Sequence, residues 1–227
     1  LSRTDVQEYL HQTSGYLPVT MAAYEATKAS GFYEENPGRE TPILDPMPTH
    51  EVLGLPLDEV PAGAEVAYFA LGCYWGEERM FWESPGVLNT AVGFMGGFTP
   101  NPTYEESCTG QTGHTETVQV VFDPSQVSYD DLLQLFWENH DPTQLNRQGN
   151  DLGTQYRSAI FPVDETQRVA AEKSLEAFQR RLEESGYGQI ATEITPDQRF
   201  YYAEREHQQY LHKNPNGYCP NHATGVK

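Results

Sequence analysis

The pattern of apolar and polar positions divides the chain into an irregular leading third and a densely patterned remainder. Residues 1 to about 36 contain helix-compatible pieces but no sustained amphipathic stripe, and read as an accessory extension. The next stretch, "PGRETPILDPMPTHEVLGLPLDEVPAGAE", is rich in Pro and Gly and predicts irregular structure wrapped over a domain whose ordered core starts at Val66. An apolar run from Val66 to Leu71 then predicts a buried strand, followed by a helix through about Ser84 that stops at "SPG". Tyr74 and Trp75 recur as Phe81 and Trp82 one heptad later, which puts all four on one side of that helix, facing a core.

A second strand, "VLNTAVGF", a long Gly/Pro/Asn loop from Met95 to Gly113 and a third strand, "TETVQVVF", come next. A helix from Tyr129 to about Asn139 follows, with Ser128 as N-cap and Asp131 as an acidic partner in its first turn. A second long loop, "HDPTQLNRQGNDLGT", leads into a fourth strand, "QYRSAIF". The long helix after Asp164 carries an apolar stripe of Ala171, Leu175, Phe178 and Leu182 and ends at Gly186. A fifth strand, "QIATEI", a short helix around Ala203 to His212 and an irregular tail follow. The order strand, helix, strand, strand, helix, strand predicts an α+β two-layer sandwich of the split βαβ, ferredoxin-like type, with irregular N- and C-terminal extensions.

Charge narrows the partners. With 14 basic against 33 acidic residues the 227-residue chain carries a formal net charge of -19, which argues against a nucleic-acid backbone or an anionic membrane surface. No apolar segment approaches the roughly 20 residues that span a bilayer, and the N-terminus lacks a basic-then-apolar leader. The expectation is a soluble, cytoplasmic monomer; a removed targeting segment is compatible with it, since Leu1 need not be the native terminus. Cys73, Cys108 and Cys219 are too few and too scattered for a disulfide scaffold. No CxxC pair occurs, and His207 and His212, five apart, do not share a helix face, so no metal site is expected.

Candidate chemistry starts at "YFALGCYWGEERMFW". Cys73 falls at the carboxyl end of a strand and the first turn of a helix, where unpaired N–H groups and the helix dipole favour a thiolate. Gly72 and Gly76 allow close approach of another molecule. A structural cysteine at such a junction has the same appearance. In "TETVQVVF", alternation puts Glu116 on the face of Val118, Val120 and Phe122. Either that strand end reaches solvent at a sheet edge, the commoner case, or Glu116 is desolvated and stays protonated near neutrality as a proton donor. Tyr104 in the first long loop and Tyr156 after the second can reach one rim of the sheet, though each alone reads as a packing tyrosine.

At this point the residues resemble the A-type peptide methionine sulfoxide reductases. The matching text is "GCYWGEERMFW", "GFMGG", "TPNPTYEESCTGQTGHTE", "FWENHDPT", "RQGNDLGTQYRSAIF", "YYAEREHQQYLHKNP" and "NGYC", covering about Pro37 to Cys219. The resemblance implies a catalytic domain over 37–227 that reduces methionine S-sulfoxide, protein-bound and free, to methionine in protein repair and oxidative-stress defence. It implies Cys73 as nucleophile, Glu116 as acid, Tyr104 and Tyr156 as hydrogen-bond donors to the sulfoxide oxygen, and Asp151 as an orienting group. Tyr74 and Trp75 would line the pocket for the S-methyl group. Cys73 would become a sulfenic acid, resolved by Cys219 in a Gly/Pro/Asn-rich, mobile tail, and a thioredoxin-like donor or dithiothreitol would reduce the disulfide, with no metal or flavin. Cys108 has a counterpart without a catalytic role and reads as a buried thiol.

Two departures from the family pattern stand out. Tyr74 replaces the usual Phe, and its hydroxyl needs a partner or solvent. The final "CPNHATGVK" lacks the further cysteine of some members, which predicts a two-cysteine cycle. The competing readings are a cysteine hydrolase or acyltransferase, with His114 or His140 as base and Asp141 as orienter, and an acidic binding module with a structural Cys73.

Overall fold

The structure is a computed structural model that describes residues 37–196, 198–219 and 222–227. The accessory extension expected over residues 1–36 lies outside the described residues. In chain order the elements are β1 (Glu65–Ala70), α1 (Tyr74–Trp82), β2 (Val87–Met95), α2 (Tyr104–Cys108), β3 (Thr115–Phe122), α3 (Tyr129–Glu138) and the short pair β4 (Arg147–Gln148) and β5 (Asp151–Leu152). A 3₁₀ turn at Thr154–Tyr156 leads to β6 (Ala159–Ile160), α4 (Glu165–Glu184), β7 (Glu193–Ile194), β8 (Tyr201–Tyr202) and α5 (Tyr210–Lys213). Six strands form one sheet in the order β7-β6-β1-β3-β2-β8, antiparallel throughout except for β6 and β7. The molecule is a mixed α/β fold built on a mostly antiparallel sheet.

Elements with a strong period come out where the pattern puts them. Helix α3 is closed by a reciprocal Ser128–Asp131 capping box, and α4 by the Asp164 side chain accepting from the Gln167 N–H. Ala171, Phe178 and Leu182 of α4 are buried in the main core, with Leu175 packed against it. Elements without a strong period are shorter than expected. Of "QYRSAIF" only Ala159 and Ile160 are strand, of "QIATEI" only Glu193 and Ile194, and the expected helix from Ala203 to His212 is reduced to Tyr210–Lys213. The loop between β2 and β3 holds a helix, α2, that the Gly and Pro content hides; Thr103 and Glu106 cap it reciprocally.

Strand β3 lies inside the sheet and is buried along its whole length, on both faces. The helices cover the face of Ala67, Phe69, Val118, Val120 and Phe122. The opposite face is covered by the Pro-rich strap, whose Leu44 and Leu57 pack on Ala91, and by Phe200 and Tyr202. The ordered core therefore includes the strap as well as the segment from Val66. Of the four aromatic residues of α1, Tyr74 and Phe81 are fully buried in the main core and half-buried Trp75 packs against it, while half-buried Trp82 turns away to His50.

Trp82 meets His50 edge to face in a buried polar node beneath α1. Glu78 Oε1 accepts from Thr90 Oγ1 at 3.1 Å and from Gln209 Nε2 at 2.8 Å, and Oε2 from the Gln209 N–H at 2.8 Å. His50 Nδ1 accepts from the Val52 and Leu53 N–H groups, so Nε2 carries the proton that it donates to Thr90 Oγ1 at 2.8 Å. The node ties the strap, α1, β2 and the segment entering the tail. Glu78→Ala leaves the Gln209 N–H and the Thr90 hydroxyl without their acceptor inside the protein; the expected loss is about 2–4 kcal/mol, read as a lower urea midpoint at unchanged m-value.

Candidate active site

Chain geometry brings Cys73 over Glu116. Strands β1 and β3 are antiparallel with Phe69 opposite Val118, so continuing the register by two residues in each direction sets Leu71 against Glu116. Beyond Leu71 the chain turns at Gly72, whose φ of +128° suits glycine and where a Cβ would stand 2.8 Å from Gln148 Cγ. Cys73 then occupies the N-cap of α1. The same register decides the two readings of Glu116: an interior strand has no solvent edge, and Glu116 is 1% exposed. Its Oε2 accepts the Tyr74 N–H, at the start of α1, at 3.0 Å. Burial, reinforced by Asp151 and opposed by the Tyr74 N–H, pushes its pKa up to about 8, so the carboxyl is protonated near neutrality.

The expectation of an easily formed thiolate is corrected. Burial is the largest influence on Cys73 and pushes its pKa far up; Glu116 adds to this, the Trp75 N–H opposes it, and Glu77 and Asp151 contribute in the same upward direction. A helix N-terminus supplies half a charge at most, and here desolvation outweighs it. The resting group is a thiol.

The remaining expected residues gather around this pair. Tyr104 opens α2, its N–H donating to Glu204 Oε1 at 2.9 Å and its ring stacked on His207 at 4.2 Å between centroids. Tyr156 ends a 3₁₀ turn pinned by Thr115 Oγ1, which lies 3.0 and 2.9 Å from the carbonyl oxygens of Gln155 and Arg157. Both phenols are held well above their usual pKa, by burial first and then by Glu116, so both are hydrogen-bond donors. Asp151 Oδ1 accepts from the Tyr218 hydroxyl at 2.9 Å, which links the β4–β5 hairpin to the tail. Trp75 stacks on Tyr210 at 3.9 Å and donates from Nε1 to His207 Nδ1 at 3.2 Å. Tyr74 is fully buried between Phe94, Trp75 and Tyr104, and its hydroxyl has no hydrogen-bond partner among the described residues.

His207, weighed in the sequence only as a metal ligand, and Tyr210 and Glu204 have no local pattern that brings "AEREHQQY" to α1 and α2; the β2–β8 pairing and the Gln208 and Gln209 side chains do. Cys219 and Cys73 line one cavity of about 140 Å³, together with Glu77, His140 and His222. Both are free thiols. Cys108 is exposed, not buried as expected, because α2 is a single surface turn. The histidines of the hydrolase reading are engaged elsewhere. His140 Nδ1 and Nε2 meet Phe136 O and Ser158 Oγ, each at 2.7 Å, and His114 accepts from the Gly97 N–H while its Nε2 meets Thr99 O at 2.8 Å. Burial lowers the pKa of both to about 4, leaving neutral rings with no nitrogen free to accept the proton of Cys73.

Known proteins share this arrangement of sequence and fold. Residues 65–226 match the family model described as peptide methionine sulfoxide reductase. The chain is 58% identical over 194 residues to the peptide methionine sulfoxide reductase MsrA of Cronobacter sakazakii, covering 85% of this chain and 91% of that protein. It is also 58% identical over 195 residues to MsrA 1 of a Synechocystis species, covering 85% and 87%. Among solved structures, methionine sulfoxide reductase A of Corynebacterium diphtheriae superposes with a TM-score of 0.78 at 51% identity, covering 85% of this chain and 94% of that one. Mxr1 of Saccharomyces cerevisiae in its reduced form gives a TM-score of 0.65 at 33% identity, covering 74% and 93%. No helix among the described residues is long and apolar enough to cross a membrane. Sequence and fold agree that the chain belongs to the peptide methionine sulfoxide reductase family, oxidoreductases that use thiols to return methionine sulfoxide to methionine.

Proposed function

We propose that the chain reduces the S epimer of methionine sulfoxide, in proteins and free, with Cys73 as nucleophile and Glu116 as acid. One observation carries this assignment: a protonated carboxyl buried beneath the turn that bears the thiol, bonded to the N–H of the next residue. Glu116 gives its proton to the sulfoxide oxygen as the Cys73 sulfur attacks, and the thiol proton returns to the carboxylate so formed, which the Tyr74 N–H stabilises meanwhile. The oxygen moves to Cys73, whose sulfur is oxidised to a sulfenic acid, and methionine is released. Tyr104 and Tyr156 donate to the oxygen as charge develops on it. Asp151, held by Tyr218, orders the hairpin beside the tail. Trp75 and the ring of Tyr74 receive the methyl group.

Cys219 then attacks the sulfenic acid, and an external dithiol, thioredoxin in the cell or dithiothreitol in the tube, reduces the disulfide. The shared cavity of the two cysteines supports this pairing. We read the scaffold as a ferredoxin-like split βαβ unit, supported by the antiparallel order β6-β1-β3-β2 with α1 and α3 between the first and second and the third and fourth of these strands in sequence. Residues 37–227 form one catalytic unit, acting as a cytoplasmic monomer without metal or flavin.

Three outcomes follow. Glu116→Gln slows methionine formation by about 10²–10⁴-fold; the wild-type rate falls as pH rises through about 8, where the acid loses its proton, and the variant lacks that limb. Near-normal rates in the variant would remove Glu116 from the acid role. Cys73→Ser abolishes reduction of the separated S epimer with dithiothreitol, whereas Cys219→Ser releases one methionine per chain without reductant and loses turnover with thioredoxin. Tyr74→Phe deletes a buried, unsatisfied hydroxyl; the expected gain is about 1–3 kcal/mol in urea denaturation, with KM for the sulfoxide little changed.

A further inference from the structure

The carboxyl of Glu77 has no place in the chemistry above. Glu77 lies one helical turn beyond Cys73, on the same face of α1. It is the acidic residue of the first turn of α1, a position the helix dipole favours. In the structure the side chain is 9% exposed. Its Oε2 accepts the Leu71 N–H at 3.2 Å, and its Oε1, fully shielded from solvent, has no hydrogen-bond partner among the described residues. A buried carboxyl oxygen without a partner is costly, and such atoms persist where function needs them.

The surroundings say which function. The cavity that Glu77 lines is the one lined by Cys73 and Cys219, and its volume of about 140 Å³ accommodates one or more waters. Glu116, bonded to the Tyr74 N–H, and Asp151, bonded to Tyr218, are not among its lining residues. His140 lines it, but both its ring nitrogens are engaged. His222 lines it too, with Nε2 unpartnered among the described residues. Burial, with Glu116 and Asp151 adding to it and the Leu71 N–H opposing, pushes the Glu77 pKa well up and favours its protonated form.

We propose that Glu77 is the acid–base group of the second half-reaction, giving a proton to the hydroxyl that leaves Cys73 and receiving one from the Cys219 thiol. The step balances. A Cys219 sulfur lone pair forms the S–S bond, the S–O bond of the sulfenic acid breaks with its electron pair on oxygen, and the oxygen takes the Glu77 proton to leave as water. The Cys219 thiol proton restores the carboxyl. Cys219 sulfur is oxidised and Cys73 sulfur reduced, and the products are one disulfide and one water. Two buried acids thus divide the cycle: Glu116 serves oxygen arriving from substrate, Glu77 oxygen leaving the enzyme.

This inference rests on the Cys73–Cys219 cycle proposed above, and the test separates the two. The full-length chain, reduced and freed of dithiothreitol, is mixed with one equivalent of the S epimer of N-acetylmethionine sulfoxide. Methionine release is followed by chromatography and the disulfide by thiol alkylation and mass spectrometry of quenched samples. Glu77→Gln is expected to keep the rate of the methionine burst within about threefold and to slow disulfide formation at least tenfold, with the sulfenic acid accumulating. Glu77→Asp recovers part of the lost rate. Disulfide formation in Glu77→Gln within about threefold of wild type overturns the inference, as does an equal slowing of both steps or a larger loss in His222→Asn. A wild-type enzyme that forms no Cys73–Cys219 disulfide overturns the underlying cycle instead.

Discussion

The site depends on one buried contact, the carboxyl of Glu116 against the first N–H of α1. It joins the central strand of the sheet to the turn that carries Cys73, and it does so between a helix start that needs an acceptor and an acid that has no water to turn to. The hydrogen bond alone would favour a carboxylate; burial works against it and wins, and the acid keeps its proton. The β1–β3 and β2–β3 pairings hold this geometry from both sides, so the distance from acid to thiol is set by sheet register and not by a flexible loop.

The same balance governs the rest of the centre. Glu77, Glu116 and Asp151 act on Cys73, and Glu116 also on Tyr104 and Tyr156, in a poorly solvated space where full ionisation of these groups together would be prohibitive. Burial resolves the conflict by raising the pKa of Glu77, Glu116 and Cys73, which disfavours their charged forms. A surface rich in carboxylates and buried carboxyls such as Glu116, whose pKa is pushed up to about 8, are consistent, because solvent decides which form is cheaper at each position.

The second thiol and the rings that pack on Trp75 and Tyr104 come from the C-terminal stretch, which is held by side chains rather than by long elements. Gln208 bridges the N–H and the carbonyl of Val92, Gln209 meets Glu78, His207 and Tyr210 stack with Trp75 and Tyr104, and Tyr218 reaches Asp151. The described residues after the tail cysteine are held as well: His222 lines the cavity, the Tyr187 hydroxyl donates to Thr224 O at 3.0 Å, and Lys227 pairs with Glu138 at 3.0 Å.

Sequence by itself determined the strongly periodic elements, the cap at Ser128, the junction that holds Cys73 and the anomaly of Glu116 on an apolar face. These are local properties: a repeat of 3.6 or 2, a capping side chain, a charge out of register. Only the tertiary structure decided that Glu116 is desolvated, since that follows from β3 lying between β1 and β2. It also decided that Cys73 rests as a thiol, that Glu77 points inward and not to solvent, that Cys108 is exposed, and that His207, Tyr210 and Cys219 come to α1 from more than a hundred residues away. Each of those depends on how much water a group keeps, and hydration is fixed by everything packed around the group, not by its neighbours in the chain.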